Sequence, residues 1–218
     1  MKKLLLRFSF LLFALPAFAQ IGEPQTKTLE ARLAADPNDQ EALLQLGIYY
    51  HNRGGNGDEK AVQKGVELLN RLLQINARNT VAMAYYGSAV TMQGRDAFLP
   101  WNKMKYVNDG VGKLDKAVML DSTNLRVRMV RGVNSVNLPG FLNRRPFALR
   151  DFAFILTHLD SAALGKSDQV QTYYFYGLAL KEEGRREEAK RMLETAAHLW
   201  PEHLFATRAT EELKKMAQ

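Results

Sequence analysis

The sequence predicts an all-α fold of about nine helices, arranged in helix–turn–helix pairs and stacked into a short curved superhelix with a C-terminal capping helix. Three observations predict it. Small and large residues recur at hairpin spacing from Val170 to Ala206, looser copies of that spacing precede it, and helix-ending residues fall between the copies. The composition suits such a fold. Of 218 residues, 46% are hydrophobic and 24% charged, which is ordinary globular material and fits one or at most two domains. There is no cysteine, which excludes disulfides, thiolate metal sites and cysteine nucleophiles.

The chain opens on Lys2, Lys3 and Arg7, then an apolar run from Phe8 through Leu15, then Pro16 and the small-residue pair of Ala17-Phe18-Ala19. That layout predicts a secretory signal peptide over 1–19, cleaved before Gln20. The apolar part holds about a dozen residues, short of the roughly twenty a bilayer-spanning helix requires. Losing Lys2, Lys3 and Arg7 takes the formal charge from +7 to +4, too small an excess to mark a nucleic-acid binder. The expected location is the periplasm, with residues 20–218 as a single helical repeat domain.

A lone first helix runs from about Gln25 to Ala35 and ends at Asp36-Pro37-Asn38. The next unit spans 40–79, with Leu43, Leu46, Gly47, Tyr50 and Gly54 on one helix and Gly65, Leu69 and Leu72 on another; its inter-helix loop reads about six residues longer than in the clearest unit. The unit 80–124 repeats this with Met83, Tyr86, Gly87, Val90 and Gly94, then an insertion, then Gly110, Leu114 and Ala117. Within it, Trp101 to Leu120 reads as one long helix with Met104, Val107, Val111, Leu114 and Val118 in a stripe. That stripe either packs on this chain's own helices or forms an exposed docking ridge. The unit 125–168 starts at Leu125, keeps Gly132, then departs around Leu138-Pro139-Gly140-Phe141-Leu142. The clearest unit, 170–203, has Tyr173, Tyr176 and Gly177 on a helix ended by Gly184, then Ala189, Leu193 and Ala196 before Pro201. Small residues at Gly177 and Ala189 allow close helix approach. The β-prone run Thr172–Tyr176 is read as helix, because the recurring hairpin outweighs local propensity. Leu204 to Met216 is the capping helix.

The 170–203 unit resembles the tetratricopeptide repeat (TPR) across all its positions, and the earlier units resemble it more loosely, with Ala77 where that family keeps proline. The resemblance implies that the first helix of each pair lines an inner curve that holds a partner segment. Carried over by position, the lining residues are Leu44, Ile48, His51 and Asn52; Val81, Ala84, Ser88, Thr91 and Met92; Arg126, Met129, Val133 and Asn137; and Gln171, Tyr174, Leu178 and Lys181. Such a surface is largely apolar, and needs covering by an insertion, a second copy or a partner. The stretch from Phe98 to Asp151 is also similar to a group of bacterial envelope TPR-like proteins with no known activity.

Arg128 and Arg131 stand where that family keeps apolar residues, and share a helix face. Arg144, Arg145 and Asp151 lie close in sequence. Two readings follow: a structural ion-pair cluster, with Asp109, Asp121 or Asp151 as partner, or a site for an anionic group.

No constellation of catalytic type emerges. Glu182-Glu183, Glu187-Glu188 and Glu211-Glu212 belong on solvated helix ends. His51, His158, His198 and His203 lack the i, i+4 spacing of a helical metal pair. Gly165-Lys166-Ser167 and Gly110-Val111-Gly112-Lys113 each miss part of a phosphate loop, and no Gly-x-Ser-x-Gly occurs. The sequence therefore predicts a non-enzymatic periplasmic scaffold, without cofactor or metal, that binds an envelope protein segment. The alternative is a carrier or sensor of a small amphipathic anionic ligand, held by Arg128, Arg131 or Arg144 under a roof of insertions.

Overall fold

A computed structural model describes residues 23–159 and 164–218; the expected leader lies outside them. The described residues form ten α-helices and no strand: α1 (Glu23–Ala35), α2 (Gln40–Gly55), α3 (Glu59–Ile75), α4 (Thr80–Asp96), α5 (Pro100–Leu120), α6 (Leu125–Asn137), α7 (Arg145–Leu156), α8 (Lys166–Glu182), α9 (Arg186–Leu199) and α10 (Leu204–Met216). A 3-10 turn, Gly140–Leu142, lies between α6 and α7. The β-prone Thr172–Tyr176 sits inside α8, so hairpin packing overrides local propensity there.

Helices pair as α2–α3, α4–α5, α6–α7 and α8–α9. The first helices also pack on one another, α2 on α4, α4 on α6 and α6 on α8, whereas α3, α5, α7 and α9 have no comparable mutual contacts. One layer is drawn together and the other fans out, which curves the stack with α2, α4, α6 and α8 inside. The apolar core is two adjoining clusters, one from α1 to α6 and one chiefly from α6 to α10 that also takes in Val62 of α3 and Met92 of α4. α10 closes the second cluster with Phe205 against Tyr174 and Phe175.

A repeated turn joins the units. Asp36–Asp39, Asn76–Asn79, Asp121–Asn124 and Trp200–His203 each close with the fourth residue's N–H donating to the first residue's carbonyl. In each, the fourth residue caps the next helix: Asp39, Asn79, Asn124 and His203 accept backbone N–H groups of its first turn. The turn chemistry, more than proline, ends the second helices. Ala77 therefore serves where Pro37 and Pro201 stand.

Close helix approach within pairs depends on glycine. A Cβ on Gly87 would lie 2.6 Å from the Gly110 carbonyl oxygen, and Gly110 meets Gly87 reciprocally. Gly47 faces Leu69, Gly132 faces Phe152 and Gly177 faces Leu193 in the same manner. These matched contacts fix where the extra residues go. The loop of the first unit is not lengthened, contrary to the sequence reading. It is Asn56-Gly57-Asp58, the same length as Glu183-Gly184-Arg185, with Gly57 and Gly184 both at positive φ. The additional residues instead extend α2 beyond Gly47 and α3 ahead of Gly65. In α4–α5 the growth is greater, and the connection is again short, Ala97-Phe98-Leu99. Only between α6 and α7 does the extra chain become loop, residues 138–144. Pro139 lies in that loop and Pro146 in the first turn of α7, where the sequence departs from the hairpin pattern.

Candidate functional site

Four places bear on function: the inner curve, a seam of polar groups within it, an arginine–aspartate cluster, and the tip of α4–α5.

Along the inner curve, His51, Ala84, Ser88, Thr91, Met92, Met129, Val133, Gln171 and Tyr174 are buried. They sit where neighbouring inner helices pack, so the chain itself covers them. Leu44, Ile48, Asn52, Val81, Arg126, Asn137, Leu178 and Lys181 keep partial exposure. Lys181 is engaged by the capping helix through Glu212, at 2.6 Å. The insertion around 94–110 does not roof this curve. It continues α4 and α5 upward beside α3.

The buried stretch carries a polar seam that sequence reasoning missed. His51 Nδ1 lies 3.1 Å from Asn52 Oδ1 and Nε2 lies 3.0 Å from Ser88 Oγ. A neutral ring satisfies both, donating at Nδ1 and accepting the hydroxyl proton at Nε2. Burial keeps the ring neutral, pulling its pKa down to about 4. Further along, Asn134 donates to Thr91 Oγ1 at 2.5 Å. On α8, burial raises the Asp168 pKa to about 6, with Arg126 pulling the other way. The available signal was a polar residue on the otherwise apolar face of each inner helix: His51, Ser88 with Thr91, Asn134 and Asp168.

Two serine–histidine contacts invite a catalytic reading, and neither supports one. Ser88 and His51 are fully buried, and no carboxylate orients the ring. At the other, Ser167 Oγ lies 2.8 Å from His203 Nε2, while His203 Nδ1 accepts the Phe205 N–H. That places the ring proton on Nε2, the wrong tautomer for a base acting on Ser167. No group of three metal-ligating side chains occurs among the described residues. No described helix is long and apolar enough to cross a membrane.

The arginines of α6 converge on α7. Asp151, wholly buried, accepts Arg131 Nε and Nη2, each at 2.8 Å, and Arg128 Nη1 at 2.9 Å. Arg131 also reaches Asp115 of α5 at 3.3 Å, and Arg144 grips the same carboxylate at 2.9 and 2.6 Å. Arg128 lies over the Phe154 ring and Arg144 over Phe147. Asp109 takes no part, and Asp121 instead serves Thr80 and Asn124. Arg145 leaves the group to pair with Glu182. The network ties α5, α6, α7 and the 138–144 loop together, with each arginine already committed to a carboxylate.

The stripe on α5 is covered by the chain. Val107, Leu114 and Val118 are buried, and Met104 and Val111 half-buried. Large apolar residues stay exposed at both ends of α5: Met119 and Leu120 at its C-terminus, and at the tip Phe98 at 93% and Trp101 at 66%. Beneath it opens a cleft of about 410 Å³, bounded by Glu59, Val62 and Gln63 of α3, Gln93 and Asp96 of α4, and the tip residues Phe98, Leu99, Asn102 and Tyr106.

Paired helices, matched glycine contacts and a capping helix define the class: this is an all-α, TPR-like superhelix. A solved structure bears that out at the level of fold. The crystal structure of TTC0263, a thermophilic TPR protein of Thermus thermophilus, superposes with a TM-score of 0.68 at 19% identity, over 87% of this chain and 89% of that one. The crystal structure of MamA matches at a TM-score of 0.49 and 19% identity, covering 88% of each chain. No protein-family model and no curated protein matches the sequence.

Proposed function

We propose that this chain is an exported, non-enzymatic scaffold which works in the periplasm and holds a segment of an envelope protein. The observation that carries the reading is the TPR-like stack with partly exposed aliphatic residues on its inner helices, Leu44, Ile48 and Val81 against the first core cluster and Leu178 against the second. Partial burial means these residues support the fold and still have apolar surface to offer a partner. The basic, apolar and small-residue order of residues 2–19 supports export. The carrier reading is less well supported, because Arg128, Arg131 and Arg144 are already bonded to Asp151 and Asp115.

The test is affinity capture from an envelope lysate with the secreted chain and its Ile48→Ser and Leu178→Ser variants. Both sites are half-buried, so circular dichroism first confirms that each variant folds. Weaker capture by folded variants supports the inner curve as the binding surface, and unchanged capture rejects it. The mass of the secreted chain checks export, with Gln20 expected as its first residue.

A further inference from the structure

We infer that the cleft under the α4–α5 tip is a second recognition point, which takes a basic side chain from a partner polypeptide. The inference rests on the scaffold reading and adds the chemistry of one contact to it. α4 continues nine residues past Gly87 to Asp96, while α8 continues five past Gly177 to Glu182. The extra turn lifts the tip by roughly 6 Å at 1.5 Å per residue. Gly87 and Gly110 seat the pair lower down and Gly94 meets the Lys103 carbonyl nearer the top, so it is the final stretch carrying Phe98 and Trp101 that stands beyond the glycine contacts.

Its surface fits a cation with an apolar stem. Phe98, at 93% exposure, stands over the cleft with its ring presented to solvent, and Trp101 is close by in sequence and also exposed. The only charged residues bounding the cleft are carboxylates, Glu59 and Asp96, and the amides of Gln63 and Gln93 add hydrogen-bonding capacity. Asp96 is held by Arg95 at 2.5 Å, while Glu59, in the first turn of α3, has no ion-pair partner among the described residues. A lysine or arginine could lay its stem on Phe98 and bring its charge to Glu59, with the ring face adding a cation–π contact. The volume lies in the lower part of the roughly 300–1,000 Å³ range of ligand clefts, suited to a residue or two of a peptide.

The test selects a random dodecapeptide phage library on the secreted full chain and on its variants. Peptides enriched in Lys or Arg are expected. Affinity for an enriched peptide should fall about tenfold in Phe98→Ala and in Glu59→Gln. Phe98 is so exposed that its removal leaves the fold intact, and Glu59→Asp should retain part of the binding. Enriched peptides without basic residues, or with affinities indifferent to Glu59→Gln, overturn the inference. So does Phe98-dependent binding to phosphatidylglycerol vesicles, or a dimer that Phe98→Ala dissociates in light scattering. Peptides that depend on Leu178 but not on Phe98 would keep the scaffold reading and reject this cleft. No selected peptide at all would reject both.

Discussion

Replacing Asp151 by asparagine removes one charge and almost no volume from the middle of the α6–α7 pair. The carboxylate is wholly buried and accepts three charge-assisted hydrogen bonds, two from Arg131 and one from Arg128. Removing one partner of a buried ion pair typically costs roughly 3–5 kcal/mol, because the remaining charge stays buried without compensation. Two features hold this case to the lower end. Asp115 still faces Arg131 at 3.3 Å, and the asparagine oxygen still accepts a hydrogen bond. The expected loss is about 3 kcal/mol, or roughly 6–12 °C in melting temperature at 2–4 °C per kcal/mol for a domain of this size. Urea titration followed by far-ultraviolet circular dichroism measures it. The loss should persist in about 0.5 M salt, since buried pairs are weakly screened. By contrast, Glu67→Gln, which breaks an exposed pair with Lys64, should cost under about 0.5 kcal/mol. A loss below about 1 kcal/mol for Asp151→Asn, or one that vanishes in salt, would refute the claim that this network organises the third pair.

The remaining predictions concern helix approach and pH. Gly110→Ala forces a methyl against the Gly87 backbone and should destabilise by about 2 kcal/mol or more, because neither backbone can move aside alone. Two residues on, Gly112→Ala points into open space and should stabilise by roughly 0.5–1 kcal/mol through helix propensity; equal effects in thermal melts would contradict the packing described. His51 takes a proton near 6.5 when unfolded but only at about 4 when folded, so the stability tied to its neutral ring is lost as pH falls across that interval, by about 3 kcal/mol. Asp168 acts oppositely: its folded carboxyl keeps a proton up to about 6 against 3.8 unfolded, a contribution fully present below 3.8 and lost as pH rises through 6. Together they should leave the wild type with a shallow profile between pH 4 and 6. Asp168→Asn should uncover the His51 slope, and a variant whose urea midpoint is flat over that range would disprove the assignment.

Most of the fold could be read from residue types because close helix packing is a local demand. Gly87 and Gly110 are readable as packing positions before any coordinates, since only a missing side chain lets two helices approach so closely. The long α5 and the capping helix were legible from periodicity and terminal position. α7 was not, because the sequence departs from the hairpin pattern in the loop ahead of it. The destination of the extra residues in the first unit was also hidden. A count of residues between two glycines does not say whether the surplus extends helices or lengthens the loop.

The inner curve shows the same division. Family positions carried onto His51, Ser88 and Met92 name residues of the inner helices that are wholly buried, because whether a face is open depends on how closely the next helix lies. The sequence by itself determined an all-α hairpin array, where its helices touch, and an apolar, basic-led start. Only the tertiary structure decided that α2, α4, α6 and α8 bury the centre of their own concave face, that Asp151 and Asp115 claim the arginines, and that Phe98 stands exposed above a cleft. Spacing along a helix records which side chains share a face. Burial and ion pairing arise between helices far apart in the chain, at distances no periodicity encodes.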